Sequence, residues 1–463
     1  MDVDALFLSR VQFAWVIGWH ILLPAFTVGL ASFIAVLEGM YLFKGEEIYT
    51  RVSTFWLRIF SVSFGMGVVT GIVMPFQFGT NWSRFADATA NVLAPLFAYE
   101  GLTAFFLEAA FLGVLLFGRG LVPKPLYFFA SLMVAFGTLL SSFWILAVNS
   151  WMQTPAGYEI IDGRYFPADW WAIIFNPSFP FRLAHTVTGF YVTTALVVVG
   201  VGAYTILRGR SVSEGKVMFS MALWLLTFLI PLQMVLGDLH GVNTFKHQPA
   251  KLAAMEGLWD TGSGVAATLF AIPDAANERN YFEVSVPKLA SLYLTHSLDG
   301  EVKGLKEFPI QDRPPVAIVF FSFRIMVGCG VLMLGLVAVS WLLRFRGTLF
   351  ENAAYLKWAM ALSPLGFIAV IAGWVTTEVG RQPWTIYGLM RTALSETPSL
   401  TTMNVVLSLF AYILVYLIIY PAGVLVMARM VKQGPSAGGT IDPIESGRPS
   451  EPVEAAAAGG KHP

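Results

Sequence analysis

Four residues of iron-binding type stand inside stretches too apolar for a soluble protein: His20, His185, Met326 and Glu378. Neutral imidazole with thioether sulfur is the usual axial pair of a low-spin, electron-transferring haem, whereas a site that binds oxygen keeps one coordination position open. His185 with Met326 fits the first role. His20 and Glu378, each without an obvious second protein ligand, fit the second. Glu378 lies in GWVTTEVGRQPW, Gly373 to Trp384, at the end of a long apolar run. An ionisable side chain at membrane depth is costly unless paired, solvated or bound to a cofactor. Gly380 and Pro383 break the run, while Trp374 and Trp384 suit a membrane interface. Arg381, three residues on, can compensate Glu378 as a plain ion pair; Arg182, Arg324 and Arg381 either neutralise haem propionates or simply face the headgroups, and Trp374 is placed to pack a macrocycle.

A second constellation is AYEGLTAFFLEAAFLG, in which Glu100 and Glu108 are eight residues apart. On an α-helix they stand about 80° apart around the axis and about 12 Å along it. Carboxylates at successive depths suit a proton relay. Ser141, Ser142 and Asn149 extend a polar track, although small polar residues are also ordinary helix-packing groups.

The elements that must position these groups are helical. Of the 463 residues, 56% are hydrophobic and only 13% charged, against about 25% charged in soluble domains. The chain therefore reads as an all-α, polytopic membrane protein. Its net charge of zero gives no reason to expect nucleic acid as a partner. The single cysteine, Cys329, excludes an internal disulfide, a thiolate-held iron–sulfur cluster and a covalent haem attachment site. Nine stretches are long enough to cross a bilayer, at 14–42, 55–78, 94–118, 125–150, 184–207, 217–237, 315–343, 357–378 and 404–428. The first is too long for a removable signal peptide. Lys44, Arg51, Arg119, Lys124, Arg208, Arg210, Lys216, Arg344, Arg346, Lys357, Arg429 and Lys432 fall in alternate connections, which marks those as cytoplasmic. The N-terminus is then outside and the C-terminus cytoplasmic. All four iron-binding candidates fall in the outer half of the membrane, His20 about 9 Å below the edge.

Residues 1–237 thus hold helices one to six, 238–314 an extracytoplasmic loop, 315–430 helices seven to nine, and 431–463 a disordered tail rich in Gly, Pro, Ala, Ser and Glu. The loop opens with GDLHGVNTFKHQPAKLAAMEGLW, where Lys251, Met255 and Trp259 share one helical face and Glu256 an adjacent one. No internal repeat supports an inverted-repeat transporter. A proton-coupled transporter and a b-type cytochrome that relays electrons without touching oxygen are the competing readings.

Six motifs together resemble subunit I of the cytochrome bd-type quinol oxidases over roughly residues 5–430: QFAWVIGWH, EGLTAFFLEAAFLG, FRLAHT, HQPAKLAAMEG, FRIMVGCG and GWVTTEVGRQPW. The short extracytoplasmic connection resembles the short-loop form, which includes the cyanide-insensitive oxidases. The resemblance implies a low-spin haem b on His185 and Met326. It also implies a high-spin pair served by His20 and Glu378, one a haem b and the other a haem d or a third haem b. Lys251 and Glu256 would belong to the quinol site, and Glu100 and Glu108 to the proton route toward O2. A second membrane subunit would complete the enzyme in the bacterial cytoplasmic (inner) membrane, with a small single-helix subunit as a further candidate partner.

Overall fold

The computed structural model describes residues 4–435 and is mostly helical. Among the described residues, nine helical stretches are long and apolar enough to span a membrane. The first is two helices, α1 (Ala5–His20) and α2 (Leu22–Lys44). Pro24 has no N–H to offer the His20 carbonyl, so the interruption falls beside the histidine. α3 (Glu47–Thr80) follows. The third span is α4 (Ser83–Tyr99), a π-helical turn at Glu100–Phe105, then α5 (Phe106–Phe117). Such turns are rare inside α-helices and frequent at functional sites. This one begins on Glu100, so the α-helical spacing expected between Glu100 and Glu108 does not hold.

After α6 (Lys124–Gln153) comes a hairpin of β1 (Tyr158–Ile161) with β2 (Arg164–Pro167), and then the short α7 (Trp170–Ile174). α8 (Phe179–Arg208) and α9 (Val212–His247) are the fifth and sixth spans. α9 continues ten residues beyond the expected 237, so the long connection starts at Gln248. It carries α10 (Pro249–Glu256), β3 (Gly262–Ser263), a hairpin of β4 (Ala267–Asp274) with β5 (Arg279–Val286), α11 (Leu289–Thr295) and β6 (Glu301–Val302), which pairs with β3. α10 stops at Gly257, whose φ of 67° is open to glycine without strain. Trp259 therefore lies past the helix and does not share the face of Lys251 and Met255.

α12 (Val316–Phe345) is the seventh span, and the eighth is split into α13 (Ala353–Ala361) and α14 (Leu365–Val379). Pro364 leaves the Met360 carbonyl to Ser363, whose hydroxyl donates to it at 2.9 Å. A small pair, β7 (Trp384–Ile386) with β8 (Met390–Arg391), precedes α15 (Thr402–Gln433), the ninth span. Beyond its first residues, the expected disordered tail lies outside the described residues.

The largest apolar core joins α2, α3, α6, α8, α9 and α12 through side chains such as Leu30, Trp56, Phe60 and Phe219, all fully buried. α2 and α8 are the most enclosed spans. A small core beneath the long connection joins α10 to the start of α12 through Met255, Trp259, Leu305 and Val319. The connection is therefore packed onto the bundle, not draped over it.

Candidate functional site

At the end of the bundle that carries the long connection, Glu378 closes α14 among polar side chains from four other segments. One carboxylate oxygen accepts from Asn149 Nδ2 at 3.0 Å and from Gln153 Nε2 at 3.4 Å; the other meets Arg381 Nη2 at 2.6 Å. Asn149 Oδ1 accepts in turn from Arg182 on the first turn of α8. Gln153 Oε1 accepts from Lys251 Nζ at 2.7 Å and from Gln248 Nε2 at 3.0 Å. A continuous hydrogen-bonded chain thus runs from α10 through Gln153 and Glu378 to Arg182, three residues from His185.

This chain carries three cationic side chains and one carboxylate, all enclosed by protein. Arg182 Nε, Arg381 Nε and Arg381 Nη1 are buried and have no partner among the described residues. Buried guanidinium donors without acceptors are expensive, so they call for an anionic group, and haem propionates have the charge and acceptor count. The Lys251 amine is driven well below its usual range by burial first and by Arg182 next, with Glu378 pulling the other way. Trp374 is half-buried one turn before Glu378.

The iron-binding candidates also pack closely against glycine. Gly237 on α9 lies over the His185 ring, so that a Cβ there would stand 3.3 Å from Cε1; Gly373 on α14 lies against the Met326 sulfur, with 2.8 Å for the same hypothetical atom. α14 touches both α8 and α12, which puts His185 and Met326 on helices that share a neighbour. Gln233 donates to the His185 carbonyl at 3.1 Å and its amide lies 3.2 Å from the ring; His240 is next, 5.5 Å away between ring centres. His20 Nδ1 is 2.8 Å from Thr70 Oγ1, and that hydroxyl donates its one proton to the Met66 carbonyl at 3.0 Å. With the hydroxyl proton on a helix carbonyl, Nδ1–H of His20 donates to Thr70, the tautomer that leaves the Nε2 lone pair free to bind a metal. Among the described residues no three His, Cys, Asp or Glu side chains group together. Single donors, each on its own helix, suit an iron that brings its own macrocycle.

α6 continues the site toward the other acids. Ser141 donates to Glu100 at 3.0 Å, and Gly137 one turn earlier makes room for the Glu108 side chain. Glu108 is buried and its Oε1 has no partner among the described residues. Ser142 instead bonds its own helix at Thr138, and Asn149 belongs to the Glu378 cluster.

Lys251 and Glu256, five residues apart on α10, point about 140° apart. Lys251 enters the Glu378 chain. Glu256 faces Arg324, 3.9 Å away on α12, and accepts from the Tyr293 hydroxyl of α11. Burial holds the Glu256 carboxyl above the usual carboxylate range, with Arg324 and then Tyr293 drawing it back. Arg324 lies over the Phe320 ring and donates to the carbonyls of Met255 and Thr268. The structure thus puts Arg324 with the connection and puts Arg182 and Arg381 with the Glu378 cluster. Gln153, Gln233, Gln248, His240 and Tyr293 were not singled out from sequence, because an uncharged amide or a lone aromatic in a helix carries no local signal.

Residues 8–435 match the family described as cytochrome bd terminal oxidase subunit I. Cytochrome bd ubiquinol oxidase subunit 1 of Bacillus subtilis (strain 168) is 38% identical over 444 residues, 93% of this chain and 94% of that protein. Cytochrome bd-II ubiquinol oxidase subunit 1 of Escherichia coli (strain K12) is 33% identical over 510 residues, 96% and 99% of the two chains. The structure of bd oxidase from Geobacillus thermodenitrificans superposes with a TM-score of 0.88 at 29% identity, covering 94% of this chain and 100% of that one.

Proposed function

Because this chain belongs to the cytochrome bd terminal oxidase subunit I family, we propose that it is the haem-bearing subunit of a quinol:O2 oxidoreductase. The observation that carries the reading is the hydrogen-bonded chain from Lys251 through Gln153 and Glu378 to Arg182, ending in buried arginine donors that lack an acceptor. It joins a loop able to handle a quinol to groups able to hold a haem.

In this reading His185 and Met326 hold a low-spin haem b. His20 and Glu378 serve a high-spin pair, one haem b and one haem d or a third haem b. When bound, these groups supply one-electron transfer and the reduction of oxygen. The chain's own residues do the rest. Arg182 and Arg381 offer their free N–H groups to propionates, Gln233 orients His185, and Thr70 fixes the His20 tautomer. Glu256 accepts a proton from a quinol hydroxyl. Burial raises its proton affinity, as a base requires, and Arg324 and Tyr293 steady the ionised form. Two quinols yield two quinones, four electrons and four protons, and one O2 takes up four electrons and four protons to give two waters.

Quinol protons leave on the extracytoplasmic side, while protons for water come from the cytoplasm by way of Glu108 and Glu100, with Ser141 bonded to the latter. Charge separation then needs no pump. A second membrane subunit completes the enzyme in the bacterial cytoplasmic membrane, and a small single-helix subunit is a further partner. The test is Glu256→Gln in the assembled oxidase. Quinol oxidation should be lost with the full haem spectrum retained; normal turnover, or loss of haem together with turnover, would overturn the assignment.

A further inference from the structure

The β4–β5 hairpin presents apolar side chains that the other described residues do not cover. Leu269 is 57% exposed, Phe282 78% and Val284 56%, with Phe270 and Ile272 also exposed. Register irregularities put an extra residue in β4 between Thr268 and Phe270 and in β5 between Tyr281 and Val284, at the level of Leu269 and of Phe282. A contiguous apolar surface of this kind marks an interaction site.

Two anchors fix where that face lies. At the hairpin base, Arg324 Nε donates to the Thr268 carbonyl at 3.0 Å; at its tip, Glu278 pairs with Arg313 at 2.5 Å. Arg313 precedes α12, whereas Arg324 is eight residues inside it, about 12 Å down the helix. The hairpin therefore runs alongside the first turns of α12 with its base toward the bundle and its charged tip pointing away. α12 has 30 residues, about 45 Å of helix, against a hydrocarbon layer of about 30 Å. Centred on that layer, α12 leaves about 7 Å outside at each end, so Arg324 sits about 5 Å below the boundary. The hairpin base is then level with the edge of the hydrocarbon. At the same end of the bundle, α7 exposes Trp170 and Trp171, the latter 73%, as an interfacial aromatic belt does.

We propose that the β4–β5 hairpin is a membrane-interface element whose Phe270 and Val284 side chains, paired next to its base, insert into the adjacent lipid leaflet. Its backbone stays outside the hydrocarbon, because an open two-stranded edge has no place there. The Thr268 carbonyl, at the deepest point, is taken by Arg324. The arrangement also puts Glu256, which Arg324 faces as well, at the lipid boundary and away from bulk water. The competing occupant of such a face, a partner protein, would cover it equally, and a test must tell the two apart.

The chain's only cysteine, Cys329, is buried, which makes site-directed spin labelling direct. In the assembled oxidase in lipid nanodiscs, on a Cys329→Ala background with haem spectrum unchanged, a nitroxide is attached at Phe270→Cys, at Val284→Cys or at the exposed control Glu301→Cys. Collision rates with O2 and with a water-soluble nickel chelate are then compared. Insertion predicts a ratio of O2 to nickel collisions several-fold higher at 270 and 284 than at 301. A ratio equal to the control would put the hairpin in water, and protection from both reagents would put protein over it. Either result overturns the proposal, and the two label sites are read independently if one variant fails to assemble.

Discussion

Removing the Tyr293 hydroxyl should shift the pH dependence of quinol oxidation in a direction fixed by the geometry. Glu256 is held above the usual carboxylate range by burial, and the Tyr293 hydrogen bond is one of two contacts that oppose this. Tyr293 itself is pushed upward by burial and by Glu256, so it remains a donor at working pH. A hydrogen bond to a charged acceptor contributes about 1.5–3 kcal/mol. Tyr293 is only half-buried, which favours the lower figure, roughly a tenfold change in the balance between ionised and protonated Glu256. The ionised carboxylate is the form that accepts the quinol proton. In Tyr293→Phe it becomes scarcer, so the acid limb of kcat/KM moves to higher pH. Below that limb the rate falls about tenfold, and above it the two enzymes converge. The assay is kcat/KM for quinol across pH, with the haem spectrum confirming assembly. A limb that stays in place, moves to lower pH, or gives way to an equal loss at every pH would refute the role of Glu256 as base.

Met326→Leu keeps the volume but removes the sulfur, so the low-spin absorption band should shift or vanish. Gly373→Ala should move it in the same sense, since the new methyl would stand 2.8 Å from the Met326 sulfur, well inside the roughly 3.5–4.0 Å of ordinary contact; unchanged spectra and potentials in both would remove Met326 as a ligand. Glu378→Ala should perturb high-spin absorption and stop oxygen uptake while quinol still reduces the low-spin haem; normal oxygen uptake would leave Glu378 with Arg381 as a plain ion pair.

The spans were legible because a bilayer demands long apolar runs, and nine were found in the sequence and in the structure alike. Chemical candidates were legible wherever charge or a metal-binding type interrupted such a run, as at Glu100, Glu108, His185 and Glu378. The break beside His20 could have been read from Pro24. What escaped was through-space pairing: Gln153 meets Lys251 across 98 residues and Asn149 meets Glu378 across 229, and no periodicity records either. The π turn at Glu100 escaped because a switch from i→i+4 to i→i+5 bonding leaves no mark in composition. Trp259 was misplaced because helical spacing was extended past Gly257, where the backbone turns left-handed. Glu256 and Lys251 lie in one motif, yet a turn and a half of helix sends them to different neighbours.

If this subunit carries quinol electrons to haem with an open oxygen-binding position, an optical spectrum of the purified oxidase, reduced by quinol and then exposed to carbon monoxide, reveals it. Quinol alone should reduce the haem absorption, with carbon monoxide shifting the high-spin part and leaving the His185–Met326 band untouched. A colourless protein, or a reduced spectrum that carbon monoxide does not change, would contradict it.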